Sequence, residues 1–455
     1  MDRISNLPDE ILCHIGSFLS AKDAAFTKVL SKRWRNLLTI IQALYFHSMS
    51  NCGEGFKDFV DGVLALPASS RINKFSILWE YVDIDQYVHI NRCLCDVVKR
   101  GVLVLALKIR EKEGYSLPLE VFTCKTVEKL TLGSGFTIDI LPNDASLPAL
   151  KTLFLDSVRF SEFGGRCAFT ALLSASPLLE ELVMDNIELR RWKWSCIVSS
   201  PTLRRLTIRL DKWLTHDDFI AYCRGLAYDF DSISLDLPGL TYLEYSDYVP
   251  KEYLIVNLNS LIEAKLDLCV DEDGVWNERH ADDFNPMNLI NGIKNVEILD
   301  ISLETMMMLH VFLEGIPVFE KLSRVSVSPS EFCWSPLARL IKNSPNLKTL
   351  IIKGHLHCGL QVNEWVCKCV SEYSFLVSCP LEVVQIANYS GSIRELEQMK
   401  HFFGKLSCLK LVRLCAYVSS SNEKRVMEDL LKLRKASSNC KIEVKFIKLE
   451  SYFNT

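Results

Sequence analysis

Histidine and cysteine, the side chains best suited to hold a metal or act as nucleophiles, cluster once in this sequence, at His355, His357, Cys358, Cys367 and Cys369. A structural zinc site needs four such ligands. The spacing here matches no zinc-binding pattern, and cysteines buried as small apolar side chains explain it equally well. We therefore predict no metal and no cofactor.

Other motifs of catalytic chemistry are missing from the sequence. Asp271-Glu272-Asp273-Gly274 begins like a calcium-binding loop, but the later ligand positions do not follow, so a solvated loop is the simpler interpretation. There is no glycine-rich phosphate-binding loop and no nucleophile elbow, and the nine histidines stand in no triad-like context. We predict no catalytic residues and a non-enzymatic role.

The composition excludes several classes of partner. The 455 residues are 49% hydrophobic and carry a formal net charge of −4, so no nucleic acid partner is expected. No apolar run is long enough to span a membrane, and the first residues show no secretory signal. The 17 cysteines, an odd number at no disulfide-like spacing, are then expected to stay reduced, in the cytoplasm and/or nucleus.

The first 45 residues carry more large apolar side chains than so short a segment can bury within itself. One helix is predicted from the spacing of Leu7, Ile11, Ile15 and Leu19, and a second from the run after Val29. A unit of about 40 residues rarely has a sufficient core of its own. Some of these side chains are therefore expected to face a partner protein; the alternative is that the two helices only cap the next domain.

Three linked segments in this region resemble an F-box in its plant form: Leu7-Pro8-Asp9-Glu10-Ile11-Leu12, the Phe18-Leu19 to Lys22-Asp23 turn, and Val29-Leu30-Ser31-Lys32-Arg33-Trp34-Arg35. The resemblance implies docking onto a Skp-type adaptor and, through it, onto a cullin–RING ubiquitin ligase. The adaptor contacts that it implies are Leu7, Pro8, Ile11, Leu12, Ile15, Leu19, Val29, Leu30 and Trp34.

A second pattern, Leu-x-x-Leu-x-apolar, recurs along most of the remaining chain. Copies begin at residues 102, 127, 150, 179, 203, 240, 261, 296, 322 and 347, and several neighbouring copies are 23 to 25 residues apart. Three of them follow a Ser-Pro pair, at Ser176-Pro177, Ser200-Pro201 and Ser344-Pro345. This spacing is typical of leucine-rich repeats, in which each copy gives a strand on the inner curve and helix or irregular chain on the outer curve. An ordinary α/β domain with similar strands is the alternative.

The segment after residue 375 resembles the FBD domain of plant F-box proteins. The matching pieces are Leu381-Glu382-Val383-Val384, Tyr389-Ser390-Gly391, Glu395-Leu396 and the run from Arg434 to Ile442. We predict strand, helix, strand, helix and strand, with helices over 393–403 and 426–433, and we expect this part to close the open end of the repeats.

The predicted fold is therefore α/β, with short F-box helices, an irregular leucine-rich-repeat solenoid and an α/β FBD cap. The predicted domains are an F-box at 1–45, a helical linker and N-terminal cap at 46–100, leucine-rich repeats at 101–375 and the FBD domain at 376–455. Within the linker we predict a loop over 45–55 and helices over 56–66 and 85–99.

The solvent side of the repeat strands is the predicted binding surface for a target protein. Strand alternation turns the positions between the core residues toward solvent, which gives Phe154, Asp156, Glu181, Asp185, Arg205, Arg209 and Lys353 as candidate contacts. Two hypotheses follow. The chain is either a substrate receptor of a cullin–RING ligase, or a repeat scaffold or ligand sensor whose F-box has lapsed. Gly16, which stands where the F-box pattern has a large apolar residue, keeps the second hypothesis open.

Overall fold

The computed structural model of the chain describes residues 4, 7–8, 11–12, 14–15, 43–48, 53–66, 71–80, 82, 84–109, 116–133, 136–160, 162–163, 166–187, 197–210, 232–269, 284–328, 335–354, 374–418, 422–433 and 436–447. The chain divides into two compact units, Met1–Ala227 (unit 1) and Tyr228–Thr455 (unit 2).

Unit 1 is dominated by one parallel sheet. The strands of this unit are Ala43–Ser48 (β1), Lys74–Trp79 (β2), Val104–Ile109 (β3), Lys129–Gly133 (β4), Thr137–Ile138 (β5), Thr152–Asp156 (β6), Arg159–Phe160 (β7), Glu162–Phe163 (β8), Arg166–Cys167 (β9), Glu181–Ile187 (β10), Ile197–Ser199 (β11) and Arg205–Leu210 (β12). The sheet contains β1, β2, β3, β4, β6, β10 and β12 in that order, and every neighbouring pair is parallel.

Unit 2 repeats the same design. Its strands are Ser232–Asp236 (β13), Tyr242–Tyr248 (β14), Glu252–Asn257 (β15), Glu263–Cys269 (β16), Ile298–Ile301 (β17), Arg324–Val327 (β18), Thr349–Ile352 (β19), Val383–Tyr389 (β20), Leu411–Tyr417 (β21) and Lys441–Ile447 (β22). A parallel sheet runs from β14 through β16, β17, β18, β19, β20 and β21 to β22, and β13 pairs separately with β15.

Helices form several of the connections, because parallel neighbours need a crossover that returns the chain to the same edge of the sheet. Within the described ranges after residue 42, the α-helices are Gly53–Leu64, Tyr87–Lys99 and Ala168–Ser174 in unit 1, and Met287–Gly292, Leu303–Val311, Ser335–Lys342, Ile393–Phe403 and Glu423–Leu431 in unit 2. Short 3-10 helices occur at Ile84–Gln86, Leu119–Thr123, Leu313–Gly315 and Ser374–Ser378.

The recurring apolar positions form the core, as the pattern predicts. In the copy beginning at Leu179, that residue, Leu182 and Met184 are all fully buried, and the corresponding positions of the other nine copies are buried as well. Strand and helix side chains meet on this side: Leu266 and Leu299 line one small internal cavity together with Leu309 and Leu340. The predicted repeat architecture is therefore confirmed.

Two of the three Ser-Pro pairs, Ser176-Pro177 and Ser344-Pro345, follow the end of a helix and precede the next strand of the sheet, whereas Ser200-Pro201 follows strand β11. The buried Ser176 hydroxyl donates to the Leu172 carbonyl at 2.9 Å, and the buried Ser344 hydroxyl donates to the Leu340 carbonyl at 2.7 Å. Each bond satisfies a carbonyl in the last turn of a helix, which otherwise has no partner within the helix. The following proline cannot continue the helix.

The structure differs from the sequence prediction between residues 45 and 100. The loop predicted over 45–55 contains part of β1, and the segment predicted as a helical linker also contains β2, so the parallel sheet begins before residue 101. The core positions of this early copy are Ile72, Phe75 and Ile77, with the repeat spacing but without leucine. The two helices predicted here are present.

The C-terminal segment adds strands to the sheet of unit 2. β20, β21 and β22 continue the parallel pairing, and the predicted helix over 393–403 is present at Ile393–Phe403. That helix begins with a capping box, in which the Ser392 hydroxyl accepts from the Glu395 N–H and the Glu395 carboxylate accepts from the Ser392 N–H. Assignment of this segment to an FBD domain, like the other domain boundaries, stays a prediction.

Candidate adaptor-docking segment and target-binding face

The N-terminal segment contains one helical turn that starts at Pro8. The N–H groups of Ile11 and Leu12 each donate to the Pro8 carbonyl at 3.1 Å. Proline suits the first turn of a helix, where its missing N–H leaves no bond unmade. This turn sets the directions of the apolar side chains that the F-box resemblance assigns to adaptor binding.

The apolar side chains of this turn differ in exposure. Ile11 is 45% exposed and Leu12 only 1% exposed, while Leu7 and Ile15 are half-buried and Pro8 is exposed. Leu12 therefore packs inside its own chain, and Ile11 is open to a partner. The other predicted adaptor contacts, Leu19, Val29, Leu30 and Trp34, lie outside the described residues.

The solvent side of the sheet in unit 1 consists of the alternate strand positions that leave the core. We call this surface the strand face. Because the strands are parallel and in register, its side chains form three lanes that run across the sheet. The middle lane joins Tyr45, Ser76, Ala106, Thr131, Phe154 and Val183, and none of these residues is charged.

Charged side chains flank the middle lane and pair across neighbouring strands. The Arg205 guanidinium lies 3.7 Å from the Glu181 carboxylate, and the Arg209 guanidinium lies 3.5 Å from the Asp185 carboxylate. Strand alternation predicts all four residues as target contacts. In the structure, each acidic residue of β10 has a basic partner at the matching position of β12, which lowers the net charge that a target would meet.

Asp156 has the most elaborate surroundings on this face. Its carboxylate accepts from the Lys108 ammonium at 3.3 Å, from the Asn186 amide at 2.9 Å and from the Ser157 hydroxyl at 3.1 Å. Lys108 belongs to β3 and Asp156 to β6, so the lysine crosses over Gly133 of the intervening strand β4. A Cβ at Gly133 would lie 3.1 Å from the Lys108 side chain, so a residue without a side chain suits this crossing.

Phe154 lies beside this cluster in the middle lane. The Lys108 ammonium is 5.5 Å from the centre of the Phe154 ring, within the range of a cation–π contact. The ring is half-exposed, as are its lane neighbours Thr131 and Val183. An apolar target side chain placed here would meet an aromatic surface framed by charges that are already paired.

The strand face of unit 2 has charges in its middle lane instead. The Tyr242 hydroxyl donates to the Glu244 carboxylate at 2.6 Å, and the Lys265 ammonium lies 3.9 Å from Glu244 and 5.3 Å from the centre of the Tyr242 ring. Burial raises the pKa of Tyr242, and the hydrogen bond with Tyr242 raises the pKa of Lys265. The lysine therefore stays charged and the phenol neutral at physiological pH.

Lys353, the predicted target contact in unit 2, is also engaged. Its ammonium lies 2.7 Å and 2.6 Å from the two carboxylate oxygens of Asp300, across the intervening strand β18. Six of the seven predicted target contacts thus occupy solvent-side positions within strands, and Lys353 directly follows β19, but whether they bind a target stays a prediction. Sequence reasoning missed Tyr45, Ser76, Ala106 and Thr131, which register alone adds to the middle lane.

The described residues hold no group of three or more histidine, cysteine or acidic side chains that could bind a metal. The histidine and cysteine cluster at 355–369 and the acidic loop at 271–274 lie outside those residues. Within the same described part of the chain, every helix is too short or too polar to be a membrane span.

The parallel strands and the buried leucine positions define a leucine-rich-repeat protein. Family models match two parts of the chain: the F-box domain at residues 4–42, and the repeats of "FBD-associated F-box protein At5g56370, LRR repeats" at residues 90–220. The chain belongs to the plant F-box/LRR-repeat protein family.

Similarity to three Arabidopsis thaliana proteins extends over almost the whole chain. F-box/LRR-repeat protein At3g62440 is 54% identical, over 98% of this chain and 100% of the relative. Putative F-box/LRR-repeat protein At5g15620 is 51% identical, over 98% of this chain and 100% of the relative. F-box/LRR-repeat protein At3g58980 is 51% identical, over 97% of this chain and 74% of the relative.

Proposed function

We propose that this protein is the substrate-recognition subunit of a Skp–cullin–F-box ubiquitin ligase. The observation that carries the proposal is the exposed Ile11 beside the exposed Pro8, inside the segment that matches the F-box domain. When a partner covers a large aliphatic side chain completely, the removal of that side chain from water contributes about 1.5–3 kcal/mol to the free energy of association. Exposed apolar side chains in this segment therefore favour a protein partner, and the F-box match supports a Skp-type adaptor as that partner.

The proposed division of labour follows the chain. Residues 1–45 dock on the adaptor, the strand face of unit 1 holds the target, and residues 376–455 form the FBD domain. The protein supplies no reacting group. It acts by bringing the target close to the ubiquitin carrier on the cullin–RING part of the complex, which raises the local concentration of the target. Its place of action is the cytoplasm and/or nucleus.

The middle lane of unit 1 is the proposed centre of target contact. Phe154 and Val183 lie side by side in register and are half-exposed, so an apolar segment of a target would gain by covering them. The paired charges of Glu181, Asp185 and their basic partners would frame that segment at the rim. Rim charges of this kind set orientation and association rate more than affinity.

Adaptor binding is tested with a purified Skp-type adaptor and the full-length chain. The variant Ile11→Asp places a charge at an exposed position and should abolish binding without unfolding the protein. Ile4→Asp is the matched control, because Ile4 is 53% exposed in the same segment but is not a predicted contact. Leu12→Ala is unsuitable, since Leu12 is buried and its truncation would disturb the chain's own packing.

Two results would overturn the ligase hypothesis: equal capture of wild type and Ile11→Asp, or capture of neither. Capture of neither, with a folded protein, would favour the non-ligase scaffold or ligand sensor. Target binding is tested separately, by proximity labelling with and without the first 45 residues. True targets should accumulate when the adaptor site is missing, and they should disappear from the labelled set when Val183→Asp is added.

A further inference from the structure

The apolar side chains on the core side of β22, the last strand of unit 2, are only partly covered. In the preceding strand, Val412 and Leu414 are each 1% exposed and Ala416 is fully buried. The matching residues of β22, Ile442, Val444 and Phe446, are all half-exposed. Among the described strands β22 pairs only with β21, so the apolar layer and the backbone ladder both stop at an open edge.

The backbone of β22 shows which groups face that edge. The Lys441 N–H donates to the Lys410 carbonyl at 2.9 Å, so the amide of Lys441 points toward β21. Peptide groups alternate in direction along a strand. The N–H and C=O groups of Ile442, Val444 and Phe446 therefore point outward, as donors and acceptors for one more strand. Exposed edges of this kind are templates for pairing with another chain.

We infer that the strand which completes this edge is β22 of a second copy of this chain, antiparallel to the first, with the two-fold axis at Val444. The outward backbone groups then meet in hydrogen-bonded pairs: Val444 with its own copy, and Ile442 with Phe446 of the second copy. These pairs also bring the half-exposed apolar side chains of both copies against each other, which continues the buried layer across the junction.

Charge selects this register over its neighbours. With the axis at Val444, Glu443 lies opposite Lys445 of the second copy, and Lys445 lies opposite Glu443. These are non-hydrogen-bonded pairs, in which the Cα atoms are closest and side-chain effects strongest. A slip of one pairing step places Glu443 opposite Glu443 in one direction and Lys445 opposite Lys445 in the other, and both arrangements repel.

The neighbouring strand supports the same arrangement. The Arg413 guanidinium is 3.0 Å from the Glu443 carboxylate, so Glu443 would lie between Arg413 of its own chain and Lys445 of the second copy. Lysines on an edge strand normally discourage pairing with any other chain. Glu443, between Lys441 and Lys445, gives this edge a charge pattern that is complementary to a second antiparallel copy of the same strand, while the two lysines disfavour pairing with other strands.

Charge swaps on the full-length chain test the inference by sedimentation velocity over a wide concentration range. Wild type should show a monomer–dimer equilibrium with no larger closed species. Either Glu443→Lys or Lys445→Glu creates two like-charge pairs by symmetry, and each should weaken the dimer by about tenfold or more. An equal mixture of the two variants should restore association, because each chain then faces the opposite charge.

Lys441→Glu is the matched control: it makes the same charge change on the same face of β22, but Lys441 faces the uncharged Ile447 of the second copy. It should leave the dimer intact. Circular dichroism checks that all variants fold. A carbodiimide crosslink between Glu443 and Lys445, in a mixture of isotopically light and heavy protein, should join light chains to heavy ones. A wild type that stays monomeric, a dimer that survives both single swaps, or crosslinks confined to one isotope would overturn the inference.

Discussion

The middle lanes of the two strand faces differ, although the same repeat builds both units. In unit 1 the lane is uncharged, with Phe154 and Val183 in adjacent strands. In unit 2 the lane carries Glu244, Lys265 and Asp300 in successive strands. The repeat therefore determines the backbone and the buried side, while the solvent-side positions are free to vary. In unit 1 the variation places an aromatic and an aliphatic side chain next to each other in the lane, whereas Ile351 in the lane of unit 2 lies between Ser326 and Gln385.

The difference has an energetic meaning for binding. Covering Phe154 removes apolar surface from water without separating any ion pair in the lane. Covering the lane of unit 2 removes water from charges that are already well paired, and that desolvation opposes association. The centre of target contact is therefore proposed in unit 1.

The largest expected effect concerns how tightly the core of unit 1 is closed. Burial raises the pKa of the Cys93 thiol to about 12, so about one thiol in ten thousand is ionised at pH 8. Iodoacetamide should therefore modify Cys93 far more slowly than Cys408 of unit 2, which is exposed. Peptide mass spectrometry over time measures both rates.

The sign of the accompanying pH effect is fixed by the direction of the shift. Well below pH 9 the Cys93 thiol is protonated in both the folded and the unfolded chain. As the pH rises from 9 toward 12, the unfolded thiol ionises first, and the folded state loses stability. Similar alkylation rates for Cys93 and Cys408 would mean that unit 1 opens readily and does not present a fixed strand face.

A second prediction compares the buried sides of the two units. Leu153 and Leu350 occupy the same repeat position, and both are fully buried. Leu153→Ala and Leu350→Ala should each lower the free energy of unfolding by about 2–5 kcal/mol. Urea denaturation measures the loss. A negligible loss for one of the two would show that the units differ in their cores as well as in their faces.

A third prediction concerns the ion pairs of unit 2. Lys353→Gln should lower the free energy of unfolding by up to about 1 kcal/mol, because the pair with Asp300 is partly exposed. The loss should shrink at high salt. A double-mutant cycle with Asp300→Asn isolates the pair, and a coupling that is insensitive to salt would contradict the electrostatic account.

A fourth prediction concerns Phe154→Ala in unit 1. The half-buried side chain loses its cation–π contact with Lys108 and only part of the surface that a core aromatic buries, so the free energy of unfolding should fall by about 1 kcal/mol. Target labelling should fall much further than stability. Equal losses of both would mean that Phe154 serves the fold and not recognition.

Sequence reasoning recovered the repeats because their apolar spacing is periodic and survives exchange of Leu for Val or Ile. It missed β1 and β2, where the Gly, Ser and Asn residues after Tyr45 indicate a loop and where Phe75 replaces the expected leucine. It placed charged residues such as Arg205 and Lys353 on the solvent side correctly. It did not predict their partners, because register across strands decides which charges meet.

The contact between Lys108 and Asp156 across Gly133 has a consequence for how such arrays change over evolutionary time. The two partners belong to repeats that are not adjacent, so inserting one additional repeat between them would carry the ammonium out of reach of the carboxylate. A larger residue at Gly133 would push the Lys108 side chain away from Asp156. We therefore expect duplication to be tolerated at the borders of these three consecutive repeats more readily than within them.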